Sequence, residues 1–427
     1  MRPLTLGPVR SLSGDVRLPG SKSISNRALL LAAMAEGRTR LVNPLRGDDT
    51  RVMLDALALL GINIAQDGED LTVDGVNGPL VTDGRRAQLH LGLAGTAFRP
   101  LTAALTLGNG EFELDGVPRM RERPIAPLVE ALTGLGADIE YTGVAGHAPL
   151  RVRGRGLNGG DVAIDGTLSS QFLTSLLLAA PLAGEEVNVT VAGELVSKPY
   201  IDITLDLMRR FGVEVEAEPG YRAFRIPVAD YRSPGRLLVE GDASAATYFL
   251  AAGAIRGEGV RVHGIGADSI QGDLAFTDVL QAMGARVTRH AETIEAAPGR
   301  LRGIQADLNH IPDAAMTVAV LALFAEGRTR IDNIYNWRVK ETDRLDAMTR
   351  ELGKLGAVVE EGRDYLVIDP PAELRPATIS TYGDHRMAMC FSLAALGGVS
   401  VTLDNPDCVA KTFPDYFEVF SSLADRP

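Results

Sequence analysis

A lysine and an arginine stand among serines near the start of the sequence, in the stretch LPGSKSISNRALLLAAMA. Pro19 and Gly20 predict a turn, and the serines that follow predict the cap of a helix that begins near Arg27. Backbone N–H groups at a helix N-terminus attract anions, and Lys22 and Arg27 add positive charge there. The hydroxyls of Ser21, Ser23 and Ser25 complete a predicted seat for a phosphate or a carboxylate. An ordinary capped helix is the alternative interpretation.

Two further stretches, GLAGTAFRP and PRMRERP, combine arginine with glycine or proline. Gly95 lets the backbone approach a ligand closely just before a helix that carries Arg99. Arg119, Arg121 and Arg123 alternate between two prolines, so an extended chain would place them on one side. Guanidinium groups suit bidentate binding of oxyanions. A structural glycine turn and a solvated run of charges are the alternatives.

The middle of the sequence supplies neutral hydrogen-bonding groups in DGTLSSQFLTSLLLAA and LVSKPYIDITL. Such groups bind a polyhydroxylated ring or its phosphate, although each also occurs as a plain helix cap. The residues concerned are Ser169, Ser170, Gln171, Ser197, Lys198 and Tyr200.

The C-terminal half contributes the candidates for acid–base chemistry. Asp313 precedes an apolar helix, whose dipole should keep its carboxylate ionised. It is followed along the chain by YNWRVKETDR, GDHRMAMCFSL and AKTFPDYF, which provide Asn336, Arg338, Lys340, Glu341, Asp343, Arg344, Asp384, His385, Arg386 and Lys411. A helix cap at Asp313, a salt-bridged surface helix over YNWRVKETDR and a structural His385 are the alternatives.

The elements that must position these groups repeat along the chain. A pattern of apolar residue, glycine and apolar residue recurs as LGINI, LGADI, FGVEV, MGARV and LGAVV, with its glycines 75, 76, 72 and 72 residues apart. A second series, in which a glycine and a short alternating strand follow a small-residue helix, has six copies. Six modules predict two domains of three, with a site in the cleft between them. A purely structural repeat protein is the alternative.

Composition narrows the possible functions. The 427 residues are 45% hydrophobic and carry a formal charge of −12, which disfavours nucleic acid and anionic membranes as partners. No apolar stretch reaches the roughly 20 residues of a membrane span, and the N-terminus lacks the apolar core of a secretory signal, so we expect a cytoplasmic protein. Cys390 and Cys408 have no spacing typical of a disulfide framework or of a zinc site.

Taken together, the motifs resemble those of the 5-enolpyruvylshikimate-3-phosphate synthases, which are enolpyruvyl transferases. The stretches that carry the resemblance include LPGSKSISNRALLLAAM, SSQFLT, EGDASAATYFLAA, NHIPDAAMT, IYNWRVKETDRL and YGDHRMAM. They occur in the family's order over nearly the whole chain, and NWRVKETDR is highly specific.

The resemblance implies an α/β (α+β) fold, a two-domain inverse α/β barrel with six βαβαββ repeats, three in each domain. Residues 1–20 and 240–427 would form domain I and residues 21–239 domain II, with the active site in the interdomain cleft. The implied reaction transfers the enolpyruvyl group of phosphoenolpyruvate to the 5-hydroxyl of shikimate 3-phosphate and releases inorganic phosphate. The resemblance implies no metal, no organic cofactor and a monomer.

The same resemblance assigns residues motif by motif. Shikimate 3-phosphate would bind to Lys22, Ser23, Arg27, Ser169, Ser170, Gln171, Ser197, Tyr200, Asp313, Asn336 and Lys340. Phosphoenolpyruvate would bind to Lys22, Gly95, Arg123, Gln171, Glu341, Arg344, His385, Arg386 and Lys411. As a hypothesis, Asp313 takes the hydroxyl proton and Glu341 protonates the methylene carbon, while Lys22 and Lys411 stabilise charge on the departing phosphate.

One stretch departs from the family. The family usually has asparagine and methionine where this chain has Leu93 and Phe98. Because the stretch flanks the phosphoenolpyruvate site, the loss of an amide donor predicts weaker binding of that substrate or of glyphosate, the family's inhibitor, which we still expect to inhibit.

Three other functions compete with this interpretation. A UDP-N-acetylglucosamine enolpyruvyl transferase shares the fold but typically uses a loop cysteine, and neither Cys390 nor Cys408 lies in the matching loop. An RNA-end-processing enzyme with similar units would need a basic surface. A non-catalytic repeat scaffold would release no phosphate.

Overall fold

The computed structural model describes residues 2–81 and 86–425. The chain forms two compact units. Unit 1 consists of residues 1–19 and 240–427, and unit 2 of residues 20–239. Among the described residues, no helix is long and apolar enough to cross a membrane.

Helices and strands alternate along the described chain. The strands are β1 Leu4–Leu6, β2 Ser11–Arg17, β3 Arg38–Val42, β4 Asn63–Asp67, β5 Asp70–Asp74, β6 Arg86–His90, β7 Gly110–Asp115, β8 Asp138–Tyr141, β9 Leu150–Gly154, β10 Gly160–Asp165, β11 Val187–Ala192, β12 Glu216–Ala217, β13 Ala223–Ile226, β14 Arg236–Leu238, β15 Gly259–His263, β16 Arg286–Arg289, β17 Thr293–Ala297, β18 Gln305–Asp307, β19 Thr329–Asp332, β20 Val358–Glu361, β21 Leu366–Asp369, β22 Ala377–Ile379, β23 Val401–Leu403 and β24 Ala424–Asp425. The α-helices are α1 Lys22–Met34, α2 Asp48–Leu59, α3 Gly95–Leu107, α4 Ala126–Gly134, α5 Ser170–Ala179, α6 Pro199–Arg210, α7 Ala243–Ile255, α8 Phe276–Met283, α9 Ala315–Leu321, α10 Arg344–Lys354, α11 His385–Ser392 and α12 Tyr416–Leu423.

The described strands form six separate sheets, and five of them share one four-strand order, to which the sheet built on β15 adds β24 beside β2. In the sheet β6-β7-β9-β8, for example, the first pair is parallel and the next two pairs are antiparallel. The sheets built on β3, β11, β15 and β19 repeat this arrangement. The sixth sheet keeps the parallel pair, β22 with β23, and adds β1 in antiparallel orientation. The six-copy repeat predicted from the sequence is therefore confirmed as a structural unit.

One strand in each unit comes from a distant part of the chain. In unit 2, β14 pairs in parallel with β3, some 200 residues earlier in the sequence. In unit 1, β2 from the N-terminal segment pairs in parallel with β15. The last strand of unit 2 thus completes the sheet that contains its first strand. In unit 1, a strand from the first residues completes the sheet that contains β15.

Alternate helices differ in burial. Twelve of the thirteen residues of α1 are buried, and α3, α5, α7, α9 and α11 are buried on nearly all sides. By contrast, α2, α4, α6, α8 and α10 bury one face only. Each unit therefore contains three inner helices, and the small and apolar side chains of these helices explain why the sequence reads as Ala- and Leu-rich at these positions.

The glycines of the first repeated pattern end the outer helices, which are the five that bury one face only. Their φ angles lie between +82° and +109°, and in each case the N–H of the next residue bonds back to a carbonyl near the helix end. The residues are Gly61, Gly136, Gly212, Gly284 and Gly356, and a strand begins two to four residues after each. The regular spacing of these glycines in the sequence thus reflects one type of helix C-terminus that occurs five times.

The first helix differs from its prediction. The sequence places its start near Arg27, whereas α1 begins at Lys22. Ser21 is its N-cap residue, Ser23 and Ser25 lie inside its first turns, and Ser25 accepts a hydrogen bond from the N–H of Leu45. A hydroxyl that satisfies a loop donor is tolerated within a helix, so only the first of the three serines, Ser21, marks the boundary.

Two of the glycines that end the outer helices, Gly284 and Gly356, provide a test of this role. An alanine at Gly284 would place Cβ 2.3 Å from the carbonyl oxygen of Arg300, whereas at Gly356 the nearest atom is Pro371 Cβ at 3.3 Å. Both substitutions cost about 1–2 kcal/mol through left-handed strain. We expect Gly284→Ala to lose a further ~1–3 kcal/mol through overpacking. Urea unfolding measures the loss of stability in both variants, and equal losses would contradict the steric clash at Gly284.

Candidate active site

Most of the polar motifs lie at the N-terminal ends of the inner helices, with one set in each unit, whereas LVSKPYIDITL and YNWRVKETDR lead into α6 and α10. In unit 2 they precede or begin α1, α3 and α5, and in unit 1 they precede or begin α7, α9 and α11. Helix N-termini carry unpaired N–H groups and a partial positive charge.

Lys22 is the first residue of α1, and its side chain is buried. Its Nζ lies 3.6 Å from Oδ2 of Asp49, which is also buried. The N-cap residue Ser21 forms no side-chain cap, so the hydroxyl does not occupy the N–H groups of the first turn. One turn later, Asn26 donates to Thr96 Oγ1 at 2.7 Å and ties α1 to α3.

Arg27 is buried among neutral acceptors. It donates to Thr204 Oγ1 at 2.9 Å, to Thr174 Oγ1 at 3.2 Å, and to the carbonyls of Ser23 and Tyr200. Burial lowers the pKa of Arg27 to about 10, so the guanidinium remains charged at neutral pH. A buried cation held by neutral groups stabilises a bound anion.

Gly95 opens α3 beside two guanidinium groups. A Cβ on Gly95 would lie 2.7 Å from Arg99 Nη1 and 3.0 Å from Arg123 Nη1, so only glycine leaves both in place. Arg99 donates to Gln171 Oε1 at 2.5 Å and to the carbonyl of Pro124 at 3.1 Å. The hydrogen bond from Arg99, a residue of α3, thereby fixes the orientation of the Gln171 side chain.

Arg123 is the clearest anion-binding candidate in unit 2. Its residue is only 5% exposed, and its Nε and Nη1 have no hydrogen-bond partner in residues 2–81 and 86–425. A buried guanidinium without such partners costs several kcal/mol unless an anion accepts its hydrogen bonds.

The other two arginines of PRMRERP behave differently. The prediction that all three share one side is wrong, because Pro118–Glu122 forms a 3-10 helix and not an extended strand. Proline at the first helical position favours this turn. Arg119 pairs with Glu122 at 2.8 Å and Arg121 with Asp115 at 2.5 Å, near the surface.

The neutral groups of unit 2 lie at the starts of α5 and α6. Ser169 is the N-cap of α5 and accepts a hydrogen bond from the N–H of Gln171 at 3.3 Å, as the cap alternative proposed. Ser170 is buried in the first turn. Ser197 is buried at φ +56°, and Lys198 and Tyr200 are half-buried at the start of α6.

Buried charge in unit 2 is unbalanced. The buried charged residues described there are four cations and one acid: Lys22, Arg27, Arg99, Arg123 and Asp49. Unit 1 has the opposite excess, with five buried acids and three cations, Asp242, Asp273, Glu341, Glu351, Asp384, Arg344, Arg386 and Lys411. Unit 2 therefore suits anions, and unit 1 suits proton transfer.

Arg344 is the centre of the polar network in unit 1. Its side chain is 1% exposed and reaches Asp313 at 2.7 Å, Asp384 at 2.7 Å and Glu341 at 3.1 Å. Burial disfavours its charge, but the three carboxylates outweigh that effect and raise the pKa of Arg344 above its usual range. The surface-helix alternative is wrong for this residue, because α10 starts at Arg344 and points it inward.

Asp313 binds two arginines. Its second oxygen accepts from Arg386 Nη2 at 2.8 Å, and Arg386 also donates to the hydroxyl of Tyr248 at 3.0 Å. The N-cap position of α9 belongs to Ala314, so the cap alternative for Asp313 is wrong. Nearby, Trp337 Nε1 donates to the carbonyl of Pro312 at 2.7 Å and fixes the short helix Tyr335–Val339 beside the Asp313 loop.

Glu341 lies between two cations. It is buried, with Oε2 at 3.1 Å from Arg344 and Oε1 at 4.0 Å from Lys411 Nζ. Lys411 is itself buried at the end of the 3-10 helix Pro406–Lys411. Asn336 is buried and Lys340 half-buried in the segment that leads to Glu341.

Asp384 and His385 begin α11. Asp384 is its N-cap and accepts from the N–H of Arg386 at 2.9 Å. Burial opposes ionisation of Asp384, but Arg344 and a hydrogen bond with His385 outweigh it, so the pKa of Asp384 lies below its usual range. His385 is fully buried, with Nδ1 3.3 Å from Asp384 Oδ1.

Sequence reasoning missed several partners of these groups. Asp49, Thr174, Thr204 and Tyr248 have no distinctive motif of their own, and they were not predicted as site residues. Thr174 and Thr204 occupy inner positions of the two hydroxyl-rich stretches, where helical spacing from Ser170 and Tyr200 was the available signal.

Neither cysteine is prepared for nucleophilic chemistry. Burial raises the pKa of the Cys390 thiol and of the Cys408 thiol to about 12. Cys390 lies inside α11, and Cys408 Sγ is 3.0 Å from the carbonyl oxygen of Asn405. In the part of the chain that the structure describes, no three His, Cys, Asp or Glu side chains form a group that could hold a metal ion.

The fold is that of the enolpyruvyl transferases. EPSP synthase from Acinetobacter baumannii superposes with a TM-score of 0.80 at 24% identity, covering 98% of each chain. The enolpyruvyl transferase NikO from Streptomyces tendae superposes with a TM-score of 0.78 at 23% identity, covering 99% of this chain and 98% of that one. The predicted α/β enolpyruvyl transferase fold is thus confirmed.

The sequence defines the family within this class. Residues 6–420 match the model of the EPSP synthase (3-phosphoshikimate 1-carboxyvinyltransferase) family, and the chain belongs to that family. The 3-phosphoshikimate 1-carboxyvinyltransferase of Serratia proteamaculans is 59% identical over 424 residues, which cover 99% of this chain and 98% of the relative. That of Marinomonas sp. is 55% identical over the full length of both chains.

The network around Arg344 gives a test of stability. We expect Arg344→Met to lower the free energy of unfolding by about 3–5 kcal/mol at pH 7, because three carboxylates lose their shared cation. Arg350→Met is the matched control on α10, where the pair with Asp346 is exposed and screened by solvent, so its loss should change the free energy of unfolding little. Urea unfolding of both variants measures the difference.

The sign of the pH dependence follows from Asp384. Its lowered pKa stabilises the folded chain above the ordinary carboxyl pKa of 3.8, and this contribution is lost as the pH falls through the lowered value. The deficit of Arg344→Met should therefore shrink below about pH 4. A deficit that is constant from pH 7 to pH 3 would contradict the assigned ion pairs.

Proposed function

We propose that this chain transfers the enolpyruvyl group of phosphoenolpyruvate to the 5-hydroxyl of shikimate 3-phosphate, with release of inorganic phosphate. The observation that carries the proposal is the family match over residues 6–420, together with relatives that are 59% and 55% identical over nearly the whole chain. The reaction joins two anionic substrates, and the excess of buried cations in unit 2 supports it.

For shikimate 3-phosphate, we propose a phosphate seat at the starts of α1, α5 and α6. Arg27 supplies a fixed charge there, and Thr174 and Thr204 hold it in place. The hydroxyls around it are those of Ser23, Ser169, Ser170, Ser197 and Tyr200, with Gln171 beside them. The ring contacts assigned to unit 1 are Asp313, Asn336 and Lys340.

For phosphoenolpyruvate, we propose that Arg123 binds an oxyanion at the start of α3. The N-cap residue of α3, Ala94, has no side chain that can cap the helix, so its first N–H groups suit an anion. Lys22, Gly95 and Gln171 complete this set in unit 2. The set in unit 1 consists of Glu341, Arg344, His385, Arg386 and Lys411.

The chemistry proceeds by addition and elimination. In the addition, the 5-hydroxyl oxygen bonds to C2 of phosphoenolpyruvate, its proton passes to Asp313, and Glu341 delivers a proton to the methylene carbon. In the elimination, the methyl carbon returns a proton and the C2–O bond to phosphate breaks. Lys22 and Lys411 stabilise the negative charge that develops on the phosphate.

The thiol environments disfavour the UDP-N-acetylglucosamine reaction. A catalytic cysteine needs a lowered pKa, whereas burial raises the pKa of both thiols of this chain. Inhibition by glyphosate, a monomeric state, a cytoplasmic location and a site in a cleft remain predictions from the sequence.

The decisive experiment measures inorganic phosphate released from phosphoenolpyruvate with each acceptor. We expect release with shikimate 3-phosphate and none with UDP-N-acetylglucosamine. Release with the UDP-sugar alone would assign the other transferase, and release with neither would refute an enzymatic function in this class.

The same assay tests Arg123 against its neighbour. We expect Arg123→Gln to lower kcat/KM for phosphoenolpyruvate by about 100-fold or more, because a buried charge-assisted pair is lost. Arg121→Gln, in the same segment but paired with Asp115 near the surface, should stay within about two-fold. Equal losses of kcat/KM in the two variants would contradict a role of Arg123 in binding phosphoenolpyruvate. Urea unfolding that is unchanged in both variants would show that the fold is intact.

Leu93 permits a test of the position at which this chain departs from the family's usual asparagine. It is half-buried one residue before the N-cap of α3 and has no side-chain donor. We expect Leu93→Asn to lower KM for phosphoenolpyruvate and the inhibition constant of glyphosate by roughly 2–10-fold, the worth of one hydrogen bond. Leu93→Ala is the control for side-chain size, and identical constants in the two variants would refute the role of an amide.

A further inference from the structure

Glu351 is a buried acid of unit 1 that no step above uses. It lies on α10, after Arg344, and is fully buried. Lys354 Nζ donates to its two carboxylate oxygens at 2.9 and 2.6 Å, from a side chain that is 41% exposed. A carboxylate that leaves water is stabilised when hydrogen bonds replace those of the solvent. Two further donors to Glu351 come from a different part of the chain.

These two donors belong to segment 378–384, which leads into α11. The N–H of Ser380 donates to Glu351 Oε2 at 3.0 Å, and the hydroxyl of Tyr382 donates to Oε1 at 2.9 Å. Each carboxylate oxygen thus binds Lys354 and one group of the segment. Because the two oxygens are fixed relative to each other, Glu351 holds Ser380 and Tyr382 at a set separation.

The contacts of α10 with this segment follow one direction. Arg344, the first residue of the helix, donates to Asp384 at 2.7 Å, and Lys354, the last residue, donates to the carbonyl of Thr378 at 3.2 Å. Glu351 lies about two helical turns after Arg344 and therefore on the same face of the helix. α10 thus holds both ends and the middle of a segment that runs in the opposite direction.

The middle of the segment has a strained backbone. Tyr382 has a φ of +55°, and Gly383 follows at +68°. A non-glycine residue in the left-handed region persists when its surroundings determine it. The residue before Tyr382, Thr381, is fixed by Asp404, which accepts its N–H at 2.9 Å and its hydroxyl at 2.8 Å. Tyr382 itself is fixed by its hydrogen bond to Glu351.

We propose that Glu351 is a positioning residue for enolpyruvyl transfer, which holds the turn that places Arg386 at the start of α11. The inference rests on the proposed function, in which Arg386 binds phosphoenolpyruvate. The turn ends at Asp384, whose carboxylate accepts from the N–H of Arg386 at 2.9 Å. Asp313 and Tyr248 hold the tip of the Arg386 side chain, whereas the turn sets the position of its backbone. A misplacement of about 1 Å can lower a rate by about 100-fold.

Two substitutions break the link from opposite sides. Tyr382→Phe removes only a hydroxyl, and we expect it to raise KM for phosphoenolpyruvate by roughly 2–10-fold, the worth of one hydrogen bond. We expect Glu351→Gln to raise this KM by about ten-fold or more, because an amide has one acceptor oxygen where the carboxylate has two. KM for shikimate 3-phosphate, whose proposed phosphate seat lies in unit 2, should stay within about two-fold of the wild type in both variants.

Tyr365 and Glu360 provide the matched control in unit 1. The hydroxyl of Tyr365 donates to Glu360 Oε1 at 2.8 Å, and Glu360 is exposed. We expect wild-type KM values for both substrates in Tyr365→Phe and in Glu360→Gln, because the bond that they remove lies outside segment 378–384. An equal rise in Tyr365→Phe and Tyr382→Phe, or a rise that is the same for the two substrates, would overturn the proposal.

The double variant tests whether Glu351 and Tyr382 act through the same bond. Residues that share a bond do not have additive effects. We therefore expect Tyr382→Phe to raise KM for phosphoenolpyruvate by a smaller factor in the Glu351→Gln background than in the wild type. Equal factors in the two backgrounds would contradict the shared route and overturn the proposal.

Amide hydrogen exchange gives a readout that does not need activity. The N–H of Ser380 donates to Glu351, and the N–H of Asp384 closes the turn on the carbonyl of Thr381 at 2.9 Å. Exchange in segment 378–384 should be faster in Glu351→Gln by about ten-fold or more, while the buried helix α7 keeps its protection. If Glu351→Gln does not fold, Tyr382→Phe, at a residue that is 40% exposed, carries both tests.

These measurements distinguish the two proposals. If exchange in segment 378–384 becomes faster but KM for phosphoenolpyruvate does not change, the positioning role is overturned and the transferase function stands. If exchange in the segment is unchanged, Glu351 does not hold the turn, and the positioning role is again overturned. If the wild type releases no phosphate, both proposals are overturned, whatever the exchange rates show.

Discussion

Buried helix N-termini impose the constraint on which both units depend. The first turn of a helix leaves N–H groups without helical partners, and each unit buries three such turns. In unit 1, the carboxylates of Asp242 and Asp384 cap α7 and α11. In unit 2, α1 and α3 have no side-chain cap, and Lys22 and Arg123 lie beside them. One solution uses the protein's own acids, and the other suits an external anion.

This difference explains how one repeated module supports two kinds of chemistry. The caps and loops of unit 1 bring acids inside, where Arg344 pairs with Asp384 and Arg386 pairs with Asp313 within hydrogen-bonding distance. Buried ion pairs of this kind contribute little net stability compared with an apolar core, yet removing one partner is costly. The cations of unit 2 have one buried acid among them, so a bound anion would offset more of their desolvation than the protein's own groups do. Stability and ligand affinity are therefore linked in unit 2.

The sequence allowed the repeated architecture to be predicted because its signals are local. A left-handed glycine and an alternating strand depend on a few neighbouring residues, and Gly61 and Gly356 satisfy the same local requirement 295 residues apart. The motifs also predicted polar groups that lie at the helix starts. Differences within a motif depend on tertiary partners: Arg121 has Asp115 beside it, whereas Arg123 is buried and its Nε and Nη1 have no hydrogen-bond partner among the described residues. Glu351 has an ordinary sequence context, and only its burial and its bonds to segment 378–384 distinguish it.

The way in which strands are shared between distant parts of the chain has a consequence during synthesis. Leu4–Leu6 pairs with Val401–Leu403, so at roughly 5–20 residues per second the first strand waits about 20–80 s for its partner. Unit 2, which is continuous in sequence, has all its strands available much earlier. A strand that waits unpaired exposes hydrogen-bonding edges to other chains. The first strand of a nascent chain therefore remains open to such contacts until translation is nearly complete.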